Sequence, residues 1–345
     1  MDKIVSVAVL GAGAVAKRFH LPCYRKNGFS RIEAVIDIDA KRAKNVARRF
    51  GVKNWFTSFQ ELLESKMNID AISICTPPTF HFEDAVAALN HGISVLCEKP
   101  LASTMSDGQK ILDATRKSTA SFMMGFNRRF NPNYQHAKHL ARQGRMGRLY
   151  FAEYRSLQQS PVVGWSKADW FYSELDGGCL RDQGPHVFDI LNWFLGKPIS
   201  VFAKKFTNLE TTVDESCFAT VRYDSGNIGI GVMSWMSPGK IEQLQVLGTG
   251  MNIIATPEIS LELDGGSLPE IALIKASSPM YLARIGSALG VEKSSTFQSE
   301  INYFINCVRN GTKPALTISD GFQGLALTCA AERSLQRGKE VAVFE

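Results

Sequence analysis

Val5-Ser6-Val7-Ala8-Val9-Leu10 runs straight into Gly11-Ala12-Gly13-Ala14-Val15-Ala16. The first six residues are a short apolar run, which reads as a buried strand. The next six are G-x-G-x-x-A, set between that strand and a helical segment, and each small residue has a separate physical job. Gly11 permits a tight turn, Gly13 lets backbone approach a pyrophosphate, and Ala16 lets the helix pack closely on the sheet. The helix N-terminus offers N–H groups and a positive dipole end to the phosphates. A glycine turn with no ligand is the competing reading, and the strand–turn–helix context weighs against it.

The same alternation continues through the first 125 or so residues. Ile32–Ile36, Ala71–Cys75, Ile93–Cys97 and Ser121–Met124 read as strands. Ala40–Phe50, Ser58–Ser65, Phe82–His91 and Met105–Ser118 read as helices. Strand–helix alternation predicts a doubly wound parallel sheet. After Phe126 the pattern changes. Asn131–Gln143 is helical with Gly144 as its stop, and Gly184–Leu195 is a second helix. Leu149–Leu157, Val201–Phe206, Cys217–Tyr223, Ile228–Trp235 and Gln243–Leu247 are strand candidates. Asp224-Ser225-Gly226-Asn227 is a turn between two of them. Strands joined by turns imply an antiparallel or mixed sheet. Helices near Phe297–Arg309 and Ser319–Arg337 close the chain.

At 345 residues the chain is too long for one ordinary core and implies two domains, 1–126 and 127–345, with a C-terminal helix packing back on the first. Hydrophobic content of 45% against 21% charged residues excludes a disordered chain. The net charge of +6 is mild, and Arg48-Arg49 and Arg128-Arg129 are pairs rather than tracts, so a nucleic-acid partner is not expected. The start shows no signal-peptide pattern and no apolar run reaches about 18 residues, so neither export nor a membrane partner is expected. Seven cysteines without a CxxC pair fit reduced thiols in a cytoplasmic protein.

Asp37 ends the second strand, where a carboxylate hydrogen-bonds a ribose 2′-hydroxyl and repels a 2′-phosphate. That favours NAD(H) over NADP(H), with Lys41 and Arg42 close enough to soften the preference. Asp37 as a plain helix cap is the alternative. Thr76-Pro77-Pro78 follows the Ala71–Cys75 strand and would cross the cofactor, with Thr76 as a hydrogen-bonding group and Pro78 also suited to a first helical position. Glu98-Lys99-Pro100 follows the Ile93–Cys97 strand, at the sheet edge where open α/β folds hold ligands. Lys99 there is either a surface lysine or a cation that stabilises an alkoxide. Asp182 and His186 are four apart, hence on one face of a helix, and Gly177-Gly178 before them suits close approach of backbone to ligand. His186 is the natural general base for a secondary alcohol. A packed histidine beside a helix-terminal Asp is the plain alternative. The pair could also be half a metal site, but no third ligand stands at convincing spacing, so no metal is expected. His136 and His139 read as solvated. His81 lies beside the cofactor loop as a candidate pocket wall. Trp165, Trp170 and Tyr172 are either core or walls for a sugar ring.

Taken together these motifs resemble the glucose–fructose oxidoreductase / inositol 2-dehydrogenase (Gfo/Idh/MocA) family. The resemblance also draws on Cys75 before Thr76, on Gly125-Phe126-Asn127-Arg128-Arg129-Phe130, and on Thr317-Ile318-Ser319-Asp320-Gly321. It spans nearly the whole chain, and the order and spacing of the motifs carry it. It implies an N-terminal Rossmann domain and a C-terminal α+β domain with a large, mostly antiparallel sheet that makes a homodimer or homotetramer. Lys99, Asp182 and His186 match the family's catalytic set, and a cis Lys99–Pro100 bond is expected. The implied dinucleotide contacts are Gly11, Gly13, Ala14, Val15, Asp37, Thr76, Pro77, His81, Glu98, Lys99 and Arg128. The implied substrate contacts are Lys99, Arg128, Trp165, Trp170, Asp182 and His186, with Gln158–Glu174 as the specificity stretch, whose aromatic walls together with Arg155 and Lys167 hint at a polyol or a phosphorylated or acidic sugar. The implied activity is NAD-dependent oxidation or reduction of a secondary hydroxyl on a sugar, sugar derivative or cyclitol. Family alternatives are an epimerase or glycosidase that retains NAD, and a non-catalytic dinucleotide-sensing regulator.

Overall fold

In this computed structural model, residues 3–159, 169–173, 175–207, 212–258, 260–264 and 296–344 are described, with main chain alone at 169, 170 and 260–264. The chain divides into two compact units. One comprises Met1–Asn127 with Ser295–Leu325, the other Arg128–Ser294 with Ala326–Glu345.

The first unit holds six parallel strands: β1 (Val5–Leu10), β2 (Ser30–Ile36), β3 (Asn54–Phe56), β4 (Ala71–Ile74), β5 (Ser94–Glu98) and β6 (Phe122–Gly125), in the order β3-β2-β1-β4-β5-β6. Every residue of β4, β5 and β6 is buried, as expected for a parallel sheet covered on both sides. The order reverses between β1 and β4, and ligands of doubly wound sheets bind beyond the carboxyl ends of strands at that switch. The helices are α1 (Leu21–Lys26), α2 (Ala40–Phe50), α3 (Phe59–Glu64), α4 (Pro78–Asn90) and α5 (Met105–Lys117). Most begin at a sequence-readable cap. Asp39 accepts from Lys41 and Arg42 N–H, Ser58 from Glu61, and Thr104 from Asp107. Helix α4 starts at Pro78, a turn earlier than its apolar pattern suggests, because Pro77 holds the extended cap position and Pro78 takes the first helical one. β3 escapes sequence reading because three residues carry too little periodicity.

The second unit holds α6 (Pro132–Arg142), α7 (Cys179–Leu195) and eight strands. These are β7 (Leu149–Gln159), β8 (Pro198–Phe206), β9 (Ser216–Tyr223), β10 (Ile228–Ser234), β11 (Met236–Gly248), β12 (Met251–Ala255), β13 (Ser260–Asp264) and β14 (Val341–Ala342). Their order is β13-β12-β11-β7-β10-β9-β8-β14, antiparallel throughout except between β7 and β10. Burial alternates along β9 and β10, so one face is covered. α7 packs on that face, against β7, β9 and β10. Gly231 on β10 makes the close approach possible, since a Cβ there would sit 2.8 Å from Val187 Cγ1. α7 begins at Cys179, five residues before the apolar run that marks it in the sequence, and carries Pro185 inside.

The C-terminal helices α8 (Thr296–Asn310) and α9 (Ile318–Arg337) are the last long elements. α8 packs on α1 in the first unit, with Phe19 and Phe297 stacked at 4.1 Å. No described helix is long and apolar enough to cross a membrane. All seven cysteines are free thiols, five of them buried.

Candidate functional site

The glycine loop sits at the switch between β1 and β4. Gly11 has φ +89°, and a Cβ on it would lie 2.6 Å from the carbonyl carbon and oxygen of Cys75, so no other residue fits the turn. A Cβ on Gly13 would meet nothing within 4 Å, which leaves its backbone open on that side. Helical backbone begins at Ala14, followed by a π-turn over Ala16–His20. Such turns insert one residue into a helix and occur often at functional sites. Here the turn and the start of α1 bury Ala16, His20 and Tyr24 completely.

Asp37 is not the cap of α2; Asp39 is. The Asp37 carboxylate accepts Ala12 N–H at 2.8 Å and Asp39 N–H at 2.9 Å. Arg42 grips it bidentately, Nε to Oδ2 at 2.8 Å and Nη2 to Oδ1 at 2.7 Å. The carboxylate is thus fastened to the glycine loop, and the arginine that could have met a 2′-phosphate is turned onto it. Ile38 beside it is 88% exposed, an apolar side chain held out at the end of β2.

Two loops leave the ends of β4 and β5. Thr76 donates to Asp84 Oδ2 at 3.0 Å. Burial pushes the Asp84 carboxyl up to about 6, against the pull of that hydrogen bond. His81 is fully buried, with Nε2 2.9 Å from the Thr76 carbonyl and Nδ1 2.8 Å from the Pro100 carbonyl. One imidazole therefore ties the Thr76 loop to the Lys99 loop. The Lys99–Pro100 bond is cis, and Lys99 itself is half-buried. Glu98 is buried; its Oε1 lies 2.8 Å from His20 Nε2 and its Oε2 accepts Lys99 N–H at 3.3 Å. His20 Nδ1 and Tyr24 Oη both reach Ser73 Oγ, at 3.0 and 2.7 Å. Sequence reading missed His20, Tyr24 and Ser73. The available signal was the i, i+4 spacing of His20 and Tyr24 after the glycines, but the π-turn decides which face they occupy.

In the second unit, Asp182 and His186 lie one turn apart on α7, Asp182 buried and His186 half-buried. The helix start is capped from outside: Asp214 accepts Leu180 N–H on its carboxylate at 2.7 Å and Cys179 N–H on its carbonyl at 2.8 Å. Gly177 and Gly178 serve the protein's own packing. A Cβ on Gly177 would meet Ser173 O, and one on Gly178 would meet Asp214 Oδ1, each at 2.3 Å. Asp182 Oδ2 accepts Gln183 Nε2–H and, at 3.2 Å, Trp235 Nε1–H. Arg128 is half-buried in the same cluster. Its Nη2 donates to Gln183 Oε1 at 2.8 Å and Ser156 Oγ at 3.0 Å, and its Nε lies 3.5 Å from Glu242. Burial alone would raise the Glu242 carboxyl, but Arg128 and Lys240 hold it below the usual carboxylate range. Gln183 and Trp235 were not singled out in the sequence, because nothing local links position 183 to position 235.

Arg155 is exposed and paired with Glu153. His139 is exposed and His136 half-buried. Tyr172 is exposed, its ring 6.3 Å from that of Trp235. Trp165, Lys167 and the Trp170 side chain, with most of Gln158–Glu174, lie outside the described residues.

Residues 5–126 match the model of an oxidoreductase family described as having an NAD-binding Rossmann fold, and residues 134–254 match that of a GFO/IDH/MocA C-terminal domain. A D-glucoside 3-dehydrogenase of Escherichia coli is 30% identical over 240 residues, covering 64% of this chain and 68% of the relative. A myo-inositol 2-dehydrogenase of Thermotoga maritima is 24% identical over 98% of both chains. Among solved structures, a levoglucosan dehydrogenase in complex with NADH and levoglucosan superposes with a TM-score of 0.88 at 21% identity, covering 99% of this chain and 100% of that one, a likeness of fold.

Proposed function

This chain belongs to the Gfo/Idh/MocA oxidoreductase family, and from that premise we propose that it passes a hydride between the secondary hydroxyl carbon of a sugar, sugar derivative or cyclitol and NAD. The observation that carries the reading is one chain holding both halves of such chemistry. The first unit has the glycine loop, Asp37 and the Lys99 loop beyond β5; the second has Asp182 and His186 one helical turn apart.

The first unit suits a dinucleotide on its own evidence. Gly13 is open at the start of a helix, where N–H groups meet phosphates, and the Asp37 carboxylate stands at the end of β2 for a ribose. Ala14 and Val15 supply further backbone N–H groups, and Thr76, Pro77 and Lys99 line the next strand ends. NAD supplies the hydride acceptor when bound. His186 takes the proton from the substrate hydroxyl as the C–H bond gives up its hydride and the carbonyl forms. Lys99 is the cation we assign to stabilise negative charge developing on a substrate oxygen. Asp182 orients the histidine or the substrate. Glu98 and His81 act behind Lys99, holding its loop.

The names of the two relatives, a glucoside and an inositol dehydrogenase, support a polyhydroxylated ring as substrate. We take the working form to be a homodimer or homotetramer through the uncovered sheet face. The strand register sets Phe206, Phe218, Ile228 and Ile241 on that one face, each more than 40% exposed. The test is NADH formation across a panel of cyclitols, hexosides and sugar acids. Net NADH with at least one of them is expected; no NADH with any, from protein that binds NAD, would sink the reading.

A further inference from the structure

The cluster around Asp182 has a direction. Arginine can only donate hydrogen bonds, so the two bonds from Arg128 Nη2 fix their acceptors as Ser156 Oγ and Gln183 Oε1. Ser156, having accepted from Arg128, donates its own O–H to Gln183 Oε1 at 2.7 Å. With its oxygen so committed, the Gln183 amide must turn its NH2 to Asp182 Oδ2. Indole Nε1–H is also a donor only, so Trp235 adds a second N–H to the same oxygen. Gln183 is 4% exposed and Trp235 1%, so neither bond competes with water. The far end is anchored just as firmly. Glu242 accepts from Tyr154 Oη at 2.7 Å, lies 3.2 Å from Lys240 Nζ and faces Arg128 Nε.

We propose that Gln183 and Trp235 are positioning residues for Asp182, and that Arg128 sets the polarity of this donor chain rather than touching substrate or cofactor. Donation runs Arg128 to Gln183 to Asp182 and ends on Oδ2, where Trp235 adds the second N–H. Two donors on one oxygen fix the orientation of the side chain that stands one turn from His186, before substrate arrives. This deepens the dehydrogenase reading of the site and rests on it for its kinetic consequence only.

Among the described residues, the charged and titratable groups around Asp182 include Arg128, which also faces Glu242, Tyr154 and Tyr134, and Cys179, with His186 one turn along α7 and Tyr172 against the Trp235 ring. Two full-length variants at position 183 separate polarity from packing. Gln183→Met keeps volume and removes the donor. Gln183→Glu keeps the pairing to Arg128 but sets an acceptor against Asp182 Oδ2, so that the two oxygens must share a proton. If the donor chain positions Asp182, Gln183→Met lowers kcat by roughly tenfold or more while the KM for NAD stays within about threefold. Gln183→Glu moves the acid limb of the kcat profile upward by about one pH unit or more. Thermal unfolding without substrate gives an independent readout. The shared proton must leave as pH rises, so Gln183→Glu loses stability relative to the parent between pH 5 and 9, and Gln183→Met shows a pH-independent offset. Identical pH dependence in the two variants, or kcat in Gln183→Met within twofold of the parent, overturns the proposal. If the parent oxidises no sugar at all, the dehydrogenase reading fails, and the unfolding series still decides whether the donor chain sets the state of Asp182.

Discussion

Replacing Asp84 with Asn should stabilise the protein at neutral pH and leave it unchanged in acid. Asp84 lies on α4, half-buried, and holds the Thr76 hydroxyl at 3.0 Å. Burial raises its carboxyl from an ordinary 3.8 to about 6, more than the Thr76 bond lowers it. A folded carboxyl that binds its proton more tightly than the unfolded one favours the folded state fully below pH 3.8. That advantage is lost as pH climbs through about 6. Each pH unit in the window is worth about 1.4 kcal/mol, so ionised Asp84 costs at most ~3 kcal/mol at pH 7. Partial solvent access at its edge trims this to about 1–2 kcal/mol. Asn keeps an acceptor for Thr76 and has no charge to bury. The expected gain is about 2–6 °C in Tm at pH 7.5, shrinking to nothing near pH 4. Thermal unfolding of parent and variant at pH 4, 5.5 and 7.5 measures it. A variant equally or less stable at pH 7.5, or a gain of the same size at all three, refutes the reasoning.

Gly11→Ala forces a Cβ to 2.6 Å from the Cys75 backbone at φ +89°; a loss of about 2–4 kcal/mol of stability and NAD binding weakened at least about tenfold are expected, by unfolding and by titration calorimetry. Asp37→Ser frees the Arg42 guanidinium, now bidentate on the carboxylate, so the ratio of NADP(H) to NAD(H) affinity should rise by roughly tenfold or more, read from the two Kd values. Asp189→Asn unpairs Arg129, one of the most buried cations in the second unit, and should cost about 3–5 kcal/mol in denaturant unfolding.

The doubly wound half was legible because its signals are local. Six-residue apolar runs, caps such as Ser58 and Thr104, and Gly11 each speak for their own position. β12, β13 and β14 were not, since the first two owe their existence to pairing with β11 and with each other, and β14 is two residues docked on β8. The start of α7 was hidden because its cap, Asp214, is 35 residues downstream of Cys179. The Gly177-Gly178 pair suits close backbone approach by its sequence alone, and the structure sets Ser173 and Asp214 against it. Asp182 and His186 were legible from spacing, whereas the residues that orient Asp182 come from positions 128, 156, 183 and 235, which only the sheet brings together. His20 was concealed by a π-turn, whose one-residue insertion no periodicity announces.

Parent, Lys99→Ala and His186→Ala, compared for NAD affinity and for NADH formation from a sugar or cyclitol, decide whether these two side chains carry the chemistry. Turnover by the parent with at least one such ring is expected, with kcat lower by roughly a hundredfold or more in each variant. The NAD Kd is expected to stay within about threefold of the parent's in both variants. Turnover at the parent rate in either variant, or no NADH from any polyol by NAD-bound parent, would contradict this assignment.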